Sequence, residues 1–387
     1  MHTLFWLSFA YLGYTFVAFP LAVLLAAAWA RSQQASGFGY GPPSVTVVFT
    51  FVPPGEPGGT SVEGIRERVR DIAVNGYEPR LLQAIGVSDG PMEGRAELER
   101  ELVTATGLEV LLLEQRDRAG KTAAQNLAAK RASGEVLVFT DADTRFAFRA
   151  IEAISRPLGD PDVGCACGRL IYAGRSPESL YWSYETALKE SEAALHSLMG
   201  ANGALYAVRR RDYAELPPWA LSDLVEPLYQ LIDRRRTCWV PEAVAYEQTR
   251  RQTGDVFGRK RRITLRALGS LPLVLPIFNL KARPVATWLF VSHKLMRWFS
   301  WLPLAAIYFS SFALATDAFY ARAAIVQLLF YMYSAGVYIA APGATLPAYV
   351  VEVGAAQLVA TLQWLFGRRE VVWEPTGLSL GGRAAAR

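Results

Sequence analysis

The sequence predicts an α/β fold built on a mostly parallel sheet, joined to α-helical transmembrane segments. Three observations lead there. Between residues 44 and 140, short runs rich in β-branched residues alternate with stretches of helical spacing. That alternation is the pattern of βαβ units covered on both faces. Residues 3–30 carry no charged side chain, and a bilayer span needs ~20 apolar residues. Late in the chain, residues 299–316 and 323–340 are also uncharged, and 345–366 contain only Glu352.

Taken in order, residues 1–31 predict an N-terminal transmembrane anchor. The segment is too long for a signal-peptide core and lacks a basic start and a small-residue cleavage site. The Ser/Gln/Gly/Pro-rich stretch 32–43 reads as a linker, and residues 44–268 as a soluble domain. Its first strand is 44–50, followed by a long turn at 53–59. Residues 61–75 are helical, with Val62, Ile65, Val69, Ile72 and Ala73 on one face. A second strand, 81–87, ends at Ser88-Asp89-Gly90. A helix at 93–106, a strand at 108–113, a helix at 121–132 and a strand at 135–139 follow. Right-handed crossovers place Asp89, Asp141 and Asp143 at one edge of such a sheet. Open α/β sheets bind their ligands at that edge, outside the carboxyl ends of the strands.

Residues 269–298 predict amphipathic interface helices, 299–367 C-terminal transmembrane helices, and 368–387 a basic tail. Trp, Tyr and Phe gather at the segment ends as interfacial belts do. If all three late segments cross, the C-terminus lies outside, yet Arg368, Arg369, Arg383 and Arg387 argue for inside. A re-entrant first segment would leave two late spans and an inside tail. The net charge is +5, with arginine and lysine clusters at 209–211, 234–236, 250–251 and 259–262. Lys/Arg excess near span ends predicts a cytosolic domain on an integral protein of the cell membrane. Beside four apolar segments the same charge predicts lipid headgroups as partners and no nucleic acid. Cys165, Cys167 and Cys238 show no metal-type spacing, and Cys165 and Cys167 read as small apolar residues on one strand face.

The chemistry-bearing motifs begin with Thr140-Asp141-Ala142-Asp143 at a strand end. Paired carboxylates suit a hard divalent cation whose other positions go to water and phosphate, although a solvated turn gives the same letters. Gly120-Lys121-Thr122 is not a P-loop, because position 115 is Gln where that motif needs Gly. A lysine opening a helix still offers charge and free amides to phosphate, or stays solvated. Gly200-Ala201-Asn202-Gly203-Ala204 permits close approach of backbone to a ligand, and Tyr206 can stack on a ring; a flexible turn is the alternative. Asp223 opens an apolar helical stretch, where an N-cap role is also open. With His2, His196 and His293 as the only histidines, a histidine-based hydrolase or a histidine-rich metal site does not fit.

In this order the motifs resemble those of family 2 glycosyltransferases, the inverting GT-A enzymes that include membrane-bound polysaccharide and glycolipid synthases. The resemblance covers roughly residues 44–300. It implies that Asp89, in Val87-Ser88-Asp89-Gly90, contacts the nucleotide base or ribose. It implies that Arg118-Ala119-Gly120-Lys121 through Asn126 lies beside the nucleoside diphosphate. Asp143, with Asp141 assisting, would hold Mg2+ or Mn2+. Gly203 and Tyr206 would face the acceptor, with Arg209-Arg210 behind them, and Asp223 would be the catalytic base. Arg259-Lys260-Arg261-Arg262-Ile263 falls where processive members carry Gln-Gln/Arg-x-Arg-Trp. Arg262 keeps a phosphate-facing role there, whereas Ile263 replaces the aromatic. After the first strand, Thr50-Phe51-Val52-Pro53-Pro54-Gly55-Glu56 departs from the family's Pro-x-Tyr-Asn-Glu. The resemblance therefore implies a GT-A nucleotide-sugar domain that moves one sugar from a nucleotide-sugar, UDP-linked before GDP-linked, to a lipid or glycan hydroxyl. A processive polysaccharide synthase, and a non-enzymatic scaffold or transporter with a degenerate nucleotide-sugar domain, are the competing readings.

Overall fold

The computed structural model describes residues 1–30, 41–173, 177–248, 256–340 and 345–372. Arg31, most of the 32–43 linker, Arg250-Arg251, and the tail with Arg383 and Arg387 lie outside the described residues.

Four parallel strands make the first half of the sheet: β1 (Val45–Phe51), β2 (Leu82–Ser88), β3 (Glu109–Glu114) and β4 (Val136–Asp141), in the spatial order β3-β2-β1-β4. Their apolar runs are continuous because both faces are covered. Val45, Val47 and Phe49 pack on one side with Ile65, Val69 and Ile72 of α2 (Val62–Ala73) and Leu98 and Leu102 of α3 (Arg95–Thr106). Val48, Leu137 and Phe139 face the other side, against Ala124 and Ala128 of α4 (Gly120–Arg131). Ser61 caps α2, its hydroxyl accepting from Gly64 N at 3.0 Å. Register brings Phe51 opposite Ser88 and Thr50 opposite Asp141, so the residues after β2 and β4 flank the same end of β1.

Beyond β4 antiparallel pairings enter, although among the described residues four of the seven neighbour pairings in the sheet are parallel, as expected. After β5 (Arg145–Phe146), α5 (Ala150–Ser155), β6 (Val163–Ala173) and α6 (Pro177–Leu195), the chain enters β7 (Tyr206–Arg209) between β4 and β6, antiparallel to both. After α7 (Ser222–Ile232), β8 (Arg236–Gln248) runs parallel to β6 and pairs antiparallel with β5. The eight strands lie in the order β3-β2-β1-β4-β7-β6-β8-β5, a mixed sheet. The reversal has a use: Tyr206, first in β7, sits opposite Phe139 near the end of β4. The Gly200–Ala204 stretch is thereby delivered to the edge that carries Asp141. Cys165 and Cys167 are free thiols buried on one face of β6.

Helix α8 (Val256–Ser270) leaves the sheet domain, and a 3-10 stretch (Leu271–Phe278) and α9 (Pro284–Phe290) follow, the latter extended by helical turns to Trp298. The buried Glu185 of α6 accepts from Lys294 at 2.9 Å and from Arg297 at 2.8 Å. Glu192 lies 2.6 Å from His293 Nδ1. These contacts tie the interface helices to the sheet domain.

Among the described residues three helices are long and apolar enough to cross a membrane: α1 (His2–Ala30, 29 residues), α11 (Ala318–Ala340, 23 residues) and α12 (Leu346–Leu365, 20 residues). The first late apolar segment forms only α10 (Trp301–Ala313), 13 residues, against the ~20 that a span needs. Of the late segments expected to span, 299–316 is thus too short in its helical part. Helix α8 packs along α12, and Phe257 N donates to Glu352 Oε1 at 3.0 Å. The lone acid of that apolar stretch meets the amino end of α8, where the helix dipole favours a carboxylate.

Candidate active site

Asp141 closes β4 with its side chain 37% exposed, and Asp143 stands exposed on the turn beyond it. Lys121, second residue of α4, reaches across: its Nζ is 2.5 Å from Asp141 Oδ1 and 3.3 Å from Gly203 O. Burial opposes the Lys121 charge, but Asp141 and Asp223 outweigh it and hold the ammonium above its ordinary value. A Cβ placed on Gly203 would lie 3.0 Å from Asp223 Oδ2 and 3.5 Å from Lys121 Nζ. Gly203, Lys121, Asp141 and Asp223 therefore converge on one spot. The convergence exists because glycine leaves room for it.

Asp223 is not an N-cap. That position belongs to Leu221, and no side chain caps α7. The Asp223 carbonyl accepts from Ala201 N at 2.7 Å, which fixes the glycine-rich loop to the start of α7. Nor is that loop a slack turn. Lys189, buried, donates to Ala201 O at 3.2 Å and to Asn202 Oδ1, and Asn202 Nδ2 donates to Gly168 O at 2.8 Å.

Asp89 is buried just past β2. Its Oδ1 accepts from Ala119 N at 2.9 Å, Gly120 N at 2.8 Å and Gln115 Nε2 at 2.9 Å, while Oδ2 lies 3.6 Å from Arg118. The carboxylate holds the loop that launches α4, and Lys121 takes its position from that anchoring.

Two expected ligand contacts are placed elsewhere. Asn126 Nδ2 donates to Leu216 O at 2.7 Å, and its Oδ1 accepts from Tyr213 at 2.7 Å and from Leu216 N at 3.3 Å. Its amide pins residues 213–216, so it is not presented to a nucleotide. Tyr206 is fully buried in β7 and stacks on Phe139 with centroids 4.9 Å apart, so its ring cannot take an acceptor. Spacing along the chain could not reveal either burial.

Next to Arg262, which the motifs did single out, residues enter that they did not. Arg262 lies on α8 one turn before Arg266, on the same helix face. Arg266 donates to Thr122 Oγ1 at 2.8 Å and to Ala220 O at 2.5 Å. Burial lowers its pKa against the pull of Asp223 and Glu370. Glu247 of β8 is pushed up to about 7, first by burial and then by Asp141 and Asp143.

After α12 the chain turns at Gly367 (φ +74°) and returns to the sheet domain. Glu370 pairs with Arg261 at 2.9 Å, and the Arg369 guanidinium lies 4.4 Å from the Trp219 ring centroid. The Val371 carbonyl rests on Gly120, where a Cβ would come within 2.0 Å of its oxygen. What read as a basic tail thus begins as a strap across the start of α4.

Asp141 and Asp143 suit a divalent cation that takes its remaining ligands from a diphosphate and water, the usual arrangement for Mg2+. Among the described residues no cluster of three or more His, Cys, Asp or Glu forms a self-sufficient cage.

Residues 62–215 match the model of glycosyl transferase family 2. An N-acetylglucosaminyltransferase of Rhizobium sp. (strain N33) is 29% identical over 107 residues, 26% of this chain and 24% of that protein. An N-acetylglucosaminyltransferase of Rhizobium leguminosarum bv. trifolii is 28% identical over 98 residues, 25% of this chain and 54% of that protein. The chain thus spans about a quarter and about half the length of these curated relatives. The mannosyltransferase PcManGT from Pyrobaculum calidifontis, solved with GDP-Man and Mn2+, superposes with a TM-score of 0.69 at 18% identity. That match covers 94% of this chain and 99% of the other. The shared fold is GT-A.

Proposed function

We propose that this chain, a family 2 glycosyltransferase by its residues 62–215, moves one sugar from a nucleotide-sugar to a lipid or glycan hydroxyl at the membrane surface. The observation that carries the reading is the convergence of Asp223, Lys121 and Gly203 beside Asp141. A base, a cation and an open backbone position meet at the end of a parallel strand. That is what an in-line displacement on a nucleotide-sugar requires.

In this reading Asp223 accepts the proton of the acceptor hydroxyl as its oxygen attacks the anomeric carbon, with inversion. A general base contributes roughly 10²–10⁴-fold. Lys121 turns from Asp141 toward the diphosphate, and Arg262 and Arg266 add positive charge from α8. Mg2+ or Mn2+ held by Asp143 and Asp141 would neutralise the charge that develops on the leaving diphosphate. No protein nucleophile is needed. Asp89 works from behind, by fixing the loop that carries Lys121.

A membrane setting is supported by the Phe257–Glu352 contact, which joins the arginine-bearing helix α8 to the apolar α12. An acceptor hydroxyl on a lipid would enter laterally, while the donor arrives from the cytosol. Ile263, in the place of an aromatic, favours single transfer over polymer extrusion.

The test is turnover by the full chain in lipid nanodiscs, given UDP- and GDP-sugars with a native lipid extract. The relatives' names make the N-acetylglucosamine donor the first to try, UDP-linked before GDP-linked. Labelled product in the lipid phase, with inverted anomeric configuration, is expected. A long water-soluble polymer made without added lipid would favour the processive reading. Absence of turnover with every donor would leave a scaffold.

A further inference from the structure

Helix α2 places Ile65, Val69 and Ile72 on its buried face, and position 68 belongs to the same stripe. Periodicity calls for an apolar residue there. The chain has Arg68, with its side chain 0% exposed. Burying a guanidinium is costly unless it is paired and hydrogen-bonded, so its partners are informative.

Apart from Asp71 on its own helix, all of them lie on the segment around the Asp-x-Asp. Arg68 Nη1 donates to Thr144 O at 2.6 Å and to Asp71 Oδ2 at 2.6 Å, and Nη2 lies 3.5 Å from Thr140 Oγ1. Its Cζ sits 3.9 Å from the Phe146 ring centroid. Asp71 in turn accepts from Phe146 N at 3.1 Å. The contacts bracket Asp141 and Asp143 on both sides, at residues 140, 144 and 146. Burial pulls the Arg68 pKa down to about 10, against Asp71, Asp141 and Asp143, so the group stays charged at neutral pH.

We propose that Arg68 is a positioning residue for the metal–diphosphate site: it clamps the Asp141-Ala142-Asp143 turn from both sides and sets a buried guanidinium behind it. The inference rests on the reading of Asp141 and Asp143 as cation ligands. A purely structural arginine would behave differently on replacement. Exchanging a buried ion pair for neutral residues of similar volume is often neutral or stabilising for a fold. The site, in contrast, would lose its clamp and the guanidinium behind it. Groups that orient a metal's ligands typically affect its affinity 10–100-fold.

Two changes to the full chain separate these roles: Arg68→Lys, which keeps charge but loses the fork, and Arg68→Met with Asp71→Asn, which removes the pair. Mn2+ binding is read by paramagnetic resonance of the free ion, without turnover, in the presence of UDP and, separately, GDP. Thermal melting is followed in parallel. The expected result is a melting temperature close to wild type with Mn2+ affinity about tenfold weaker. Unchanged Mn2+ affinity in folded variants overturns the proposal, and so does loss of folding in both, which would make Arg68 a strut. If the wild-type chain binds no Mn2+ with either nucleotide, the reading of Asp141 and Asp143 fails first. That outcome is separate from a failure of Arg68 alone.

Discussion

Lys121 and Asp141 are joined by a contact of 2.5 Å between Nζ and Oδ1, which links the first turn of α4 to the last residue of β4. In the proposed reading, the cation that would meet a donor phosphate is thus paired with a carboxylate that would meet a metal. Binding of a metal–diphosphate would exchange these partners, carboxylate to metal and ammonium to phosphate, and would leave the local charge balanced.

Activity should therefore require a divalent cation. Asp143→Ala is expected to abolish turnover while the protein still folds and inserts, because Asp143 stands exposed on the turn after β4. Turnover in excess EDTA checks the metal requirement, and full activity there contradicts it.

Asp223→Asn keeps the size of the side chain and removes the proton acceptor. Donor binding measured by calorimetry should be near wild type, with single-turnover rates down roughly 10²–10⁴-fold. An unchanged rate would reassign Asp223 to holding the glycine-rich loop.

Gly203→Ala tests the same site by steric means. The added Cβ would stand 3.0 Å from Asp223 Oδ2, so the carboxylate must give by a few tenths of an ångström. Misplacement by 1 Å can cost about 10²-fold, so a loss in kcat of about three- to tenfold is expected, with Mn2+ binding intact. Wild-type kcat would mean that Asp223 has room to spare.

Glu370→Gln addresses the strap. Its carboxylate pairs with Arg261 and lies in the field of Arg266, so in the proposed reading it would compete with an incoming phosphate. The variant should show a lower KM for the donor, by no more than about fivefold, the worth of a partly exposed ion pair. A raised KM would make Glu370 a support for those arginines.

Glu226 gives a pH signature. Burial pushes its carboxyl from 4.5 up to about 8. The unfolded chain ionises above pH 4.5 while the folded protein keeps the proton until about pH 8, so stability falls across that window and is level above it. Glu226→Gln removes the slope. Its melting temperature should match wild type at pH 5 and exceed it at pH 8.5; equal curves at both values would show that Glu226 ionises freely.

Much of this architecture is legible in the sequence, for a physical reason. Strands β1 to β4 are covered on both faces, so they appear as unbroken apolar runs, and their ends fall within two residues of the observed ones. The carboxylates that follow β2 and β4 then share an edge by handedness alone. The second half of the sheet hides better. Strand β7 has four residues, too few to show a period, and its antiparallel insertion is a tertiary choice. Tyr206 and Asn126 stand at the expected chain positions but are turned inward by β7 and by residues 213–216. Arg68 is concealed for the opposite reason: a charge within an apolar stripe looks like an interruption until its partners at 140 and 144 are seen. Arg266 and Glu370 meet the site only through the packing of α8 and the return of the chain after α12.

That return also counts crossings. Glu370 and Val371 touch Arg261 and Gly120, so the end of the described chain and the sheet domain lie on one face of any bilayer that the long helices span. A path that leaves a face and comes back to it must cross an even number of times. Helices α11 and α12 are long enough to supply two crossings, and α10, at 13 residues, is too short to add a third. If α1 crosses once, Met1 would stand on the opposite face, and epitopes at Met1 and at residue 372 would be reached from different sides.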